Sequence, residues 1–154
     1  MSVLAAIRPD EIDFPLFMHV LGAMVLVGTL LLAGTLLTSA RRDGSAVLTR
    51  RAYKVLLIGV LPAWLVTRVF AQIVLDKPYY ETFEEQTWVE IGFISTEPVL
   101  LLIIGATVAA GVGSRRALRD GGPVGTSGRV AMGLTWLLVV IYVITVWAMT
   151  AKPE

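Results

Sequence analysis

Four long apolar stretches, at 14–39, 52–75, 89–112 and 129–150, occupy most of this chain. Each exceeds the ~20 residues that carry a helix across ~30 Å of hydrocarbon. Backbone in hydrocarbon must satisfy its own hydrogen bonds, which a helix does and an open strand does not. Only short polar segments remain between the stretches, so nothing is left to form a soluble domain. The sequence therefore predicts a single all-α domain over 1–154, an integral membrane four-helix bundle. Composition agrees: 56% of the 154 residues are hydrophobic and the mean hydropathy is +0.76, well beyond an ordinary soluble domain. The absence of cysteine excludes disulfides, thiolate catalysis and cysteine-held zinc or iron–sulfur centres.

The net charge of +1 conceals a division between the two ends of the spans. Connectors one and three carry nine basic residues against two acids: Arg41, Arg42, Arg50, Arg51, Lys54, Arg115, Arg116, Arg119 and Arg129 against Asp43 and Asp120. The other side carries three bases and nine acids. The positive-inside rule then places the basic connectors in the cytoplasm and both termini outside, in a multi-pass protein of the cell's inner (plasma) membrane. The bases are read as topology determinants beside anionic lipid, so the bilayer is the expected partner and nucleic acid is not. The first apolar run is too long for a signal-peptide core and no basic region precedes it. Asp13 is expected to cap span one, with Pro15 in its first turn. Tyr79, Tyr80, Phe83 and Trp88, with Trp147, suit an interfacial aromatic belt. No internal repeat supports an inverted-repeat transporter.

Helical periodicity gathers Gly22, Ala23, Leu26, Leu30, Ala33, Gly34 and Leu37 on one face of span one, together with His19. Gly105, Ala109 and Gly113 form a row of small residues on span three. Such rows let helices approach closely in lipid.

Two charges lie inside the apolar runs, Arg68 on span two and Glu97 on span three. A lone charge at bilayer depth costs ~2.5–3.5 kcal/mol on insertion scales, so such residues pair, face the bundle interior or mark a site. Counted from the outer end of each span at ~1.5 Å per residue, His19, Arg68, Glu97 and Tyr142 all fall in the outer half, within about two turns of one another. A four-helix bundle can bring them together. Trp64 and Gln72 flank Arg68 by one turn on either side and extend this network. Pro98 is expected to kink span three beside Glu97. The same Arg–Glu pair would also serve simply to fix helix register or to hold a membrane partner.

His19 is the only histidine. Its open roles are metal or haem ligand, proton carrier, or third member of the Arg–Glu network. A bis-histidine haem within one protomer is excluded. Met149 shares a face with Tyr142 near the outer boundary, so His19/Met149 ligation, or a haem shared between the protomers of a homo-oligomer, stays open.

FMHVLGAMVLVGTLLLAG at the start of span one and WAMTAKP at the end of span four resemble a superfamily of small bacterial membrane proteins. It contains the copper-resistance protein D family, the J-type protoporphyrinogen oxidase family and a family of uncharacterised integral membrane proteins, which the four-span layout also fits. The resemblance implies haem b ligated at the position of His19. With Arg68 available to a propionate and Met149 as a further ligand, the sequence points to an outer-leaflet polar pocket of His19, Arg68, Glu97 and Tyr142 that takes haem b. Its competitors are a structural or accessory membrane subunit and a proton or small-ion carrier using Glu97 and His19.

Overall fold

The computed structural model describes residues 10–76, 97–120 and 125–151. They form four helices: α1 (Asp10–Asp43), α2 (Ala46–Leu75), α3 (Glu97–Asp120) and α4 (Thr126–Ala151). All four are long and apolar enough to cross a membrane. α2 is built of two α-helical pieces, Ala46–Val55 and Leu61–Leu75, joined by a single π turn, Leu56–Val60.

Close contacts fix the topology. Gly22 meets Thr67, and Gly59 meets Thr29, so α1 and α2 run antiparallel. Gly111 meets Tyr53, which sets α3 against α2, and Gly113 meets Gly128, which sets α3 against α4. Gly34 meets Trp136, which closes α4 onto α1. The result is an up-down-up-down ring in which each helix touches two neighbours. One end carries Arg41, Arg42, Arg50, Arg51, Arg115, Arg116, Arg119 and Arg129; Asp13 and Asp76 lie at the other.

The face of α1 expected from periodicity is the face that is buried. Leu26, Leu30, Ala33 and Leu37 join Leu56, Val60, Ile103, Leu138 and Tyr142 in one core. The small-residue row of α3 lies on α4: a side chain at Gly113 would come within 3.1 Å of the Gly128 backbone, and one at Gly105 within 3.6 Å of Leu134. Outward faces are apolar as well. Ile58 and Leu101 are each 72% exposed in mid-helix, a surface that water disfavours and lipid does not.

The helices outrun the apolar stretches. α1 begins by Asp10, so Asp13 stands inside its first turns and is not its cap; acids there suit the positive end of the helix dipole. Arg41 and Arg42 extend its other end for the complementary reason. The connector expected over 40–51 shrinks to Gly44 and Ser45. Gly44 takes φ +64, the left-handed conformation that glycine accepts freely. The Ser45 amide returns to the Ala40 carbonyl at 3.0 Å, a helix-ending Schellman bond. The Ser45 side chain then accepts from the Leu48 amide and caps α2. Likewise α3 continues through Arg115, Arg116 and Arg119 to Asp120, and α4 begins at Thr126. The aromatic segment 79–88 and the expected start of span three, 89–96, lie outside the described residues. Pro98 falls in the first turn of α3 as described, where a missing amide donor costs nothing.

Gly22 and Gly28 test this packing. A side chain at Gly22 would stand 2.7 Å from the Thr67 hydroxyl and 3.0 Å from its backbone nitrogen, whereas Gly28 has nothing within 4 Å. Gly22→Leu should cost ~1–3 kcal/mol through overpacking, while Gly28→Ala should be neutral or stabilising. Thermal unfolding of the two variants in one detergent compares them directly.

Candidate functional site

The site begins where Gly22 of α1 meets Thr67 of α2. Because Gly22 has no side chain, Thr67 fits against α1, and the Thr67 hydroxyl donates to the Ala63 carbonyl of its own helix at 2.8 Å. One turn along α1, His19 reaches across. Its Nδ1 lies 2.9 Å from the Thr67 carbonyl oxygen. A carbonyl oxygen only accepts, so Nδ1 must carry the hydrogen. In the neutral ring the lone pair then belongs to Nε2, and no described residue donates to that nitrogen. A histidine whose first nitrogen is tied to a carbonyl and whose second is open has the arrangement that orients metal-binding imidazoles.

Arg68 follows Thr67 directly and is half-buried. Its Nη1 donates to Gln72 Oε1 at 2.7 Å, and Gln72 Nε2 donates to Asp76 Oδ1 at 2.8 Å. Arg68, Gln72 and Asp76 thus form a polar ladder along one face of α2 that climbs from the guanidinium to the end of the helix. Phe14 of α1 meets Phe70 of α2 edge-to-face, ring centroids 6.1 Å apart, a second contact between the two helices at this end.

Tyr142 is 8% exposed within the core, and its hydroxyl has no hydrogen-bond partner among the described residues. This distinguishes it from the other buried hydroxyls described. Thr49, Thr107 and Thr135 each donate to the carbonyl four residues back, and Ser114 to the one three back. Trp64 packs against the same core. Met149 is half-buried on α4, next to the buried Ala148.

The structure therefore joins Arg68 to Gln72 and sets His19 beside the residue that precedes Arg68. It seats Tyr142 and Trp64 in or against the common core. Glu97 opens α3, but its side chain lies outside the described residues, and so does the expected Arg68–Glu97 pair. Among the described residues no group of three His, Asp or Glu side chains gathers as a metal cluster. Two cavities lie toward the basic end, and neither is lined by His19.

Sequence reasoning missed Thr67, the acceptor on which the histidine geometry depends. It also missed the π turn, in which the Leu61 amide bonds the Leu56 carbonyl five residues back. Pro62 follows, and its lack of an amide hydrogen removes the donor that the Ile58 carbonyl would normally use. That was the available signal, together with Gly59, where a side chain would stand 3.0 Å from Thr29. Single π turns of this kind recur at functional positions in helices.

The chain matches no protein-family model, no curated protein and no solved structure.

An unpaired buried hydroxyl costs ~1–3 kcal/mol. Tyr142→Phe should therefore leave stability unchanged or raise it. A loss of ~1 kcal/mol or more in equilibrium unfolding would show that the hydroxyl is bonded after all.

Proposed function

We propose that this is a small multi-pass protein of a bacterial inner membrane, with its basic connectors in the cytoplasm, both termini outside, and a polar ligand site in its outer half built on His19 and Arg68. The ligand is haem b. The observation that carries this reading is the tie between His19 Nδ1 and the Thr67 carbonyl, which orients the ring and leaves Nε2 open as the ligating nitrogen.

The donor set fits that group on chemical grounds. His19 would hold the iron from one side. Arg68, braced by Gln72, would pair a propionate. Met149, or His19 of a second copy, would serve as the further ligand. Bound haem would supply one-electron chemistry. The chain's own part is to orient the imidazole through Thr67 and to brace Arg68 through Gln72. The resemblance of the first span to the J-type protoporphyrinogen oxidase family, which implies haem b at the position of His19, points the same way.

A second reading has its own support. The His19–Thr67 bond joins α1 to α2 one turn from the Gly22–Thr67 contact, so it is also a staple. In that case the protein is a structural or accessory membrane subunit.

Protein purified from haem-supplied cells should show a Soret band that His19→Ala abolishes. His19→Asn, whose amide still donates toward Thr67, separates the two readings. The ligand reading expects loss of the band with the fold retained. The staple reading expects no band in any variant, with unfolding easier in His19→Ala than in His19→Asn. Colourless wild-type protein would end the haem proposal. Orientation is tested separately: cysteines at Ser45 and Thr82 should label from opposite faces of intact cells, and labelling from one face would overturn the topology.

A further inference from the structure

A groove of about 330 Å³ runs between α2 and α3 in the half of the bundle opposite His19. Tyr53, Leu57 and Leu61 form one wall; Ile104, Val108 and Arg115 stand on the other. Gly111 makes room at its floor: a side chain there would stand 3.0 Å from Tyr53 Cε2, so the tyrosine ring lies directly on the α3 backbone. Thr107, the polar residue of the lining between Tyr53 and Arg115, is neutralised by donating to the Ile103 carbonyl at 2.7 Å. Val108 is 57% exposed and Leu57 40%, so the groove opens sideways onto the flank that faces the surroundings of the bundle.

Its charge is confined to one end. Arg115 marks the mouth. By helical spacing Arg119 lies one turn further along the same face of α3, and Arg50 and Lys54 lie at the same end of the α2 wall. Arg119 Nε meets Asp120 at 2.9 Å; among the described residues the others pair with no carboxylate. That surface pair is too exposed to hold the arginine closed. From Arg115 to Ile104 is eleven positions, or about 16 Å of helix. One leaflet of a ~30 Å hydrocarbon core has about that depth.

We propose that this groove is a binding site for one anionic phospholipid, with an acyl chain along Leu57, Leu61 and Val108 and the phosphate-bearing headgroup on Arg115. The observations fit a lipid better than a peptide or a soluble anion. The lining is apolar over a leaflet's depth, it opens laterally, and its cations stand together at the headgroup end. The proposal is independent of the His19 site.

Native mass spectrometry of protein equilibrated with phosphatidylglycerol or phosphatidylcholine of identical chains tests it. Wild type should bind one phosphatidylglycerol roughly fivefold or more tightly than phosphatidylcholine, the effect of about one well-placed cation. R115Q should remove the discrimination. V108W, which fills the groove and leaves every arginine in place, should weaken both lipids. L57W fills it from the other wall if V108W does not fold. R41Q, a cation on α1 away from the groove, should change nothing. Equal binding of the two lipids by wild type, or equal losses in R115Q and R41Q, would overturn the site in favour of a non-specific basic collar. Unchanged binding in both tryptophan variants would overturn the acyl-chain placement.

Discussion

The approach of α1 to α2 at Gly22 and Thr67 governs the rest of the molecule. A glycine on one helix lets a threonine of the other reach the backbone, and only at that separation can His19 span to the Thr67 carbonyl. The bond orders the imidazole, and the residue after Thr67 is Arg68, the charge within the apolar run of α2. In hydrocarbon there is no apolar driving force between helices, so close packing of small residues and interhelical hydrogen bonds carry association. The three other helix contacts follow the same rule. Trp136 lies on Gly34 and donates to the Thr38 hydroxyl at 3.1 Å, Tyr53 lies on Gly111, and Gly113 meets Gly128.

The two ends of the bundle have separate characters. In the half holding His19, a ladder from Arg68 through Gln72 to Asp76 leads polar groups out along one helix. In the other half, an apolar groove between α2 and α3 carries Arg115 at its mouth. The π turn lies between these two regimes on α2. The part of α2 before it packs on both α1 and α3, and the part after it packs chiefly on α1. Changing the helical register at that point lets one rod serve two different neighbourhoods.

The helices and their buried faces were legible because they rest on long-range repetition. Leu26, Leu30, Ala33 and Leu37 recur at helical spacing, and Gly105 and Gly113 mark where a neighbour comes near. Helix ends were not legible from hydropathy, because apolar length reports membrane thickness whereas Asp10 to Asp13 and Arg41 to Asp43 remain helical beyond it. Thr67 was hidden for another reason. Its hydroxyl bonds back along its own helix as do those of Thr38, Thr145 and others, so its residue type carries no distinguishing mark. What sets it apart is a backbone carbonyl that becomes available to another helix, and that depends on register between α1 and α2. The link between Arg68 and Gln72 was legible, being a one-turn contact within a single helix. The Tyr142 hydroxyl was placed by depth alone, and depth does not say whether a group has a partner.

The account turns on which nitrogen of His19 carries the hydrogen, and the chain contains one histidine. Nitrogen-15 spectra of histidine-labelled protein in bilayer discs, prepared free of haem, therefore show a single imidazole. The expected result, at a pH where the ring is uncharged, is the hydrogen on Nδ1, with Nε2 bare and with Nδ1–H protected from exchange. A ring protonated at Nε2, or one averaging freely between tautomers, would contradict the account.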